Sequence, residues 1–122
     1  MPNLKKALLC LVLATQLPAQ NWSRADTLAE GAFLALLTTD YMQTRDLLRK
    51  PKSEMREMNP LLGSFPSQAE VNQYFLMMAL THVSVAVLLP PDGMRRTWQG
   101  LGIALELGVV AHNVKVGLRV RW

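Results

Sequence analysis

One cysteine, Cys10, is all the chain has, so an internal disulfide and a cysteine-based zinc site are both excluded. Histidine is almost as scarce: His82 and His112 stand far apart and form no His-Glu-x-x-His pair. Aromatic residues make up 7% of the sequence and are not interleaved with lysine and arginine, so the net charge of +4 does not read as a nucleic-acid surface. Thr38, Thr39 and Ser84 lack a base nearby in sequence that would make a nucleophile of any of them. The methionines fall in no regular Met-x-x-Met array, which leaves them as apolar filler rather than copper ligands. With 122 residues there is room for one domain.

What remains is apolar. Half the residues are hydrophobic and 18% are charged, and the charges are gathered between long uncharged stretches. Lys5 and Lys6 precede an apolar run over 7–17, and Leu17-Pro18-Ala19 offers a small residue before Gln20. This pattern predicts a signal peptide over 1–19, because the run of about a dozen residues is short of the roughly 20 that span a bilayer. An uncleaved N-terminal anchor is the alternative.

The mature part, 20–122, reads as a single helical domain. Ser23-Arg-Ala-Asp26 and Ser67-Gln-Ala-Glu70 are capping boxes, each setting a hydroxyl and an acid where a helix leaves its first N–H groups unpaired. Lys50-Pro51 and Pro90-Pro91 are stops. Helices are therefore predicted over about 24–49, 68–89 and 94–117, with Asp92-Gly93 as a tight turn. Val71 to Leu89 carries no formal charge over 19 residues, and Thr97 to Val114 carries only Glu106. The fold class expected is an all-α, three-helix membrane bundle following a signal peptide.

Charge placement predicts an orientation. With the leader removed, the mature N-terminus is outside. The linker then lies inside with Arg45, Arg49, Lys50, Lys52 and Arg56, as does the C-terminus with Lys115, Arg119 and Arg121; outside are Arg24, Arg95 and Arg96. The expected location is a multi-pass protein of the inner membrane, with the bilayer as its first partner and the periplasm as the alternative.

Polar residues recur inside the apolar segments. Asp40, Gln43 and Thr44 sit toward the end of the first helix, and Glu57 and Asn59 in the turn beyond the basic linker. His82 lies within the second helix. On the third, Gln99, Glu106 and Asn113 repeat every seven residues along one face, joined by His112. Gly100, Ala104 and Gly108 repeat every four on nearly the opposite side, a helix-packing ridge for a neighbour or a second copy, and Gly31, Ala35 and Thr39 form a similar stripe earlier. Two readings of the polar seam stay open. It is structural, its members pairing with each other as His82 would with Glu106; or Asp40, Glu57, His82, Glu106 and His112 form a buried metal or hydrolytic site.

Several of these residues together resemble a group of small bacterial and phage-borne proteins that are predicted to be membrane or exported proteins. The resemblance runs over about residues 22–118. It is carried by Trp22, Asp26, Glu30, Asp40-x-x-Gln43-Thr44, Glu57-x-Asn59-Pro60-Leu61-Leu62-Gly63, His82, Trp98-Gln99, Glu106 and His112-Asn113. It implies the architecture and supplies no activity. The expectation is thus a small integral membrane protein acting by protein–protein contact or self-association, without a cofactor and without required catalysis. The alternatives are a membrane-embedded metal-binding or hydrolytic protein and a soluble periplasmic bundle.

Overall fold

The structure, a computed structural model, describes residues 21–121 except Asp92. The predicted leader over 1–19, Cys10 within it, the Asp92 half of the predicted turn and Trp122 lie outside the described residues. The described residues form three helices: α1 Arg24–Leu48, α2 Gln68–Leu88 and α3 Gly93–Lys115. Among the described residues there is no strand.

Both capping boxes form as the sequence predicts. The Ser23 hydroxyl accepts from the Asp26 N–H at 3.1 Å while the Asp26 carboxylate accepts from the Ser23 N–H at 2.9 Å. Ser67 and Glu70 repeat this exchange at the start of α2. The helices end a little earlier than predicted. Leu89 is extended at ψ 147°, as the residue before a proline must be, so α2 closes at Leu88. α3 closes at Lys115 because Gly117 adopts φ +90°, which lets the Leu118 N–H reach back to the Asn113 carbonyl and the Gly117 N–H to Val114.

α1 is the central element, packed against both other helices, while α2 and α3 touch each other less. Its inward face repeats in steps of three and four: Asp26, Glu30, Phe33, Leu37, Asp40, Thr44 and Leu47 are all buried. Phe33 and Leu37 join Val71 and Phe75 of α2 in an apolar cluster. Elsewhere the interior is mostly polar, with Leu47, Ala86 and Leu118 buried apart from that cluster. Among the described residues seven hydrophobic side chains are buried against ten polar or charged ones, whereas Leu76, Met77 and Leu80 of α2 and Leu101 and Leu107 of α3 are exposed. A water-soluble bundle shows the reverse pattern.

By length and composition α2 alone, among the described residues, is suited to crossing a membrane, and less than a quarter of it is buried inside the protein. Three such helices were expected; α1 and α3 fall short because their acids and terminal basic residues dilute the apolar stretch.

Candidate functional site

Most of the buried polar residues form two clusters, one toward each end of α1, with Phe33 and Leu37 between them. The first lies where α1 and α3 begin. Arg95 is completely buried, and its guanidinium donates to the Ala86 carbonyl at 2.8 Å, the Leu89 carbonyl at 2.9 Å and the Asp26 carboxylate at 3.2 Å. One side chain thus fastens the start of α3 to the end of α2 and to the start of α1. The Trp22 ring covers that guanidinium, 5.1 Å from centroid to Cζ. The Ser23 backbone N–H, then the Ser23 hydroxyl and Arg95, hold the Asp26 carboxyl below its ordinary pKa.

One turn further along, Gln99 donates to Glu30 at 3.1 Å, and the other oxygen of Glu30 lies 3.0 Å from Nδ1 of His82. The imidazole is stacked on Phe33 at 3.6 Å between centroids and on Trp98 at 5.0 Å, and the Trp98 indole donates to the His82 carbonyl. Its Nε2 is buried with no hydrogen-bond partner and faces α3 at Gly102. The pairing of His82 with Glu106 expected from the sequence is therefore replaced by His82 with Glu30. The reason is level: His82 stands beside the first turns of α3, and Glu106 lies a full turn beyond Gly102.

The second cluster is built around Asp40, Gln43 and Asn113. Asn113 donates to Asp40 at 2.7 Å and to Gln43 at 3.1 Å, and Gln43 reaches the Val110 carbonyl over a long 3.5 Å. Below them the Glu57-x-Asn59-Pro60 turn closes on itself. The Glu57 carboxylate accepts the N–H groups of Met58 and Asn59 at 2.9 and 2.8 Å, the Asn59 carbonyl accepts from Leu62 and Gly63, and Gly63 makes the exit at φ +77°. This turn, Asp40, Glu106 and His112 line one cavity of about 430 Å³. Two motifs separated by a basic linker thus meet at one place. Glu106 is nine-tenths buried, and its Oε2 has no partner.

Several predicted placements change. His82 belongs to the first cluster and not with Asp40, Glu57, Glu106 and His112. His112 is exposed at the rim. The expected five-residue metal set is therefore divided, and among the described residues no three His, Cys, Asp or Glu side chains are grouped to hold a metal ion. Gly100 and Ala104 face outward and Gly108 is exposed at the edge of the Glu106 cavity, with nothing within 4 Å of a Cβ on either glycine, so the stripe packs closely on no other described part of the chain; Gly31 and Ala35 are likewise exposed. The glycine used for close approach is Gly102, which no four-residue stripe contains.

Sequence reasoning also passed over Asp26, Glu30, Arg95 and Asp46 as interior groups. Asp46 is buried and holds the C-terminal tail, accepting from the Arg119 N–H at 3.1 Å and from the Arg121 side chain at 2.9 Å. The signal was present in the four-and-three spacing of Asp26, Glu30, Phe33, Leu37 and Asp40. Two charged residues near a helix start resemble ordinary capping and hide that register. Comparisons with protein-family models, with curated proteins and with solved structures find no match to this chain, so its function has to be argued from this geometry.

Proposed function

We propose that this chain is an integral membrane protein in which α2, the one described helix apolar enough to cross a bilayer by itself, is joined across it by α1 and α3 with their polar faces turned inward. The reading rests on one observation: acids, amides, His82 and Arg95 are buried among the helices, while leucine, methionine and valine cover the outside. In hydrocarbon that arrangement stabilises the bundle, because most inward polar groups find a partner they would lack in lipid, Oε2 of Glu106 and Nε2 of His82 excepted. The outward hydroxyls fit as well. Thr38 and Thr39 donate to the Leu34 and Ala35 carbonyls of their own helix, at 2.7 and 2.9 Å, so α1 offers no free donor there.

Its action is helix contact within the membrane, with a second copy or another membrane protein, through the outward Gly100, Ala104 and Gly108 stripe. Small residues at that spacing let backbones approach closely where lipid gives no hydrophobic drive to association. Catalysis has no place in this reading.

Fractionation of a C-terminally tagged protein tests it. Recovery in membranes after alkaline carbonate, with a cysteine placed at Ala104 forming a cross-linked dimer in a Cys10→Ser background, is the expected result. Recovery without detergent from the periplasm would replace it with the soluble-bundle alternative.

A further inference from the structure

The cavity between α1, α3 and the Glu57-x-Asn59-Pro60 turn carries more than a packing role. Three carboxylates line it, Asp40, Glu57 and Glu106, and no lysine or arginine does. Two of the three are already engaged: Asp40 by the Asn113 amide, and Glu57 by the backbone of its own turn. Glu106 is different, since its buried Oε2 has no donor at all. A carboxylate kept from water without a donor is costly unless a proton or a cation reaches it.

The walls say which cation fits. Tyr74 and Phe75 contribute ring surface, and Leu62, Leu105 and Val109 contribute aliphatic surface. A bare metal ion would use none of this, and among the described residues no three His, Cys, Asp or Glu side chains gather around one ion position. The volume of about 430 Å³ lies in the range that holds small organic ligands. Aromatic faces beside acids favour an ammonium group carried on an apolar body.

We propose that this cavity binds a protonated primary amine, the ammonium on Glu106 and Asp40 and the apolar part against Phe75, Leu105 and Val109. The inference stands on the cavity and not on the membrane reading. The ammonium could be that of a free amine or of an ethanolamine lipid head group, and the two sources are separable.

The test uses the full chain, purified in whichever medium keeps it folded, titrated with phenethylamine and, in parallel, with its neutral counterpart 2-phenylethanol. Saturable binding of the amine, with the alcohol weaker by about tenfold or more, is expected, since an ion pair to a buried acid is lost. Glu106→Gln and Asp40→Asn, each checked for helix content, should weaken amine binding by a similar factor. Ethanolamine lipid that copurifies with the wild type and not with Glu106→Gln supports the head-group source; amine binding without such lipid supports the free one. Absence of both, equal binding of amine and alcohol, or binding unchanged in the folded variants would overturn the proposal. The amine-against-alcohol comparison needs no variant, so a misfolded mutant leaves it decisive.

Discussion

Nδ1 of His82 lies 3.0 Å from a carboxylate oxygen of Glu30, 52 residues away in sequence, and both side chains are buried. The pair joins α2 to α1, while Gln99 of α3 holds the other oxygen of Glu30. All three helices therefore meet at one carboxylate. Removing the imidazole leaves Glu30 short of a partner and opens space between Phe33 and Trp98. His82→Ala should destabilise the fold by about 3–5 kcal/mol, the usual result of breaking a buried pair from one side. Glu30→Gln, which keeps a hydrogen-bonding group, should cost less. Denaturation midpoints of the two single variants and the double variant check this, and a coupling near zero would deny that the pair acts as a unit.

Gly102 and Gly100 should respond oppositely to the same change. A Cβ on Gly102 would collide with Nε2 of His82 and stand 3.1 Å from the Phe33 ring, both held rigidly in a stack. Nothing lies within 4 Å of a Cβ on Gly100. Gly102→Ala is expected to destabilise the chain by about 1–3 kcal/mol, the usual overpacking cost. Gly100→Ala should be neutral or slightly stabilising, by up to about 1 kcal/mol, because alanine is the better helix former. Thermal unfolding of the two variants in the same medium separates them. A dimer lost in Gly100→Leu with the monomer still folded would add support for the outward ridge as a contact.

Asp26 makes a prediction in pH through the Ser23 backbone N–H first, then the Ser23 hydroxyl and Arg95. Asp26 lies in the first turn of α1, before the apolar stretch that begins at Gly31, and its pKa is held below the ordinary 3.8. A carboxyl that is a stronger acid when folded binds protons more readily in the unfolded chain, so protonation favours unfolding. Its contribution is complete above the ordinary value and is lost as pH falls through the depressed one. Between pH 5 and 8, roughly, Asp26 should add no pH dependence to stability. Asp26→Asn should remove the part of the acid-induced loss that protonation of this carboxyl causes. Arg95→Ala, which also frees the Ala86 and Leu89 carbonyls, should be the more damaging, costing about 3–5 kcal/mol. Unfolding curves between neutral pH and strong acid give both answers.

The turn that carries Glu57 and Asn59 depends on Gly63. At φ +77° an alanine is strained although there is open space around it. Gly63→Ala should cost roughly 1–2 kcal/mol and loosen the Glu57 side of the cavity, since the Gly63 and Leu62 N–H groups both close on the Asn59 carbonyl. Gly63→Asn, a residue that tolerates this conformation, should recover part of the loss. Amide exchange at residues 57–63 reads the change directly.

Local chemistry settled much of this protein in the sequence itself. Ser23 with Asp26 and Ser67 with Glu70 announced two helix starts, Pro51 and Pro90 two ends, and Asn59-Pro60 with Gly63 a turn, because capping and φ restriction act within a few residues. The seven-residue spacing of Gln99, Glu106 and Asn113 likewise placed them on one face of α3. Pairing across helices was a different matter. Whether His82 meets Glu30 or Glu106 depends on how far α2 is slid along α1 and α3, and a helix register is set by the fit of Phe33 and Trp98 around an imidazole and of Gly102 against it, not by spacing within any one segment. The same holds for the cavity. Asp40 and Glu57 are brought to Glu106 only when the linker folds its turn back beneath α1 and α3, and only the packed bundle leaves Glu106 as the acid without a donor.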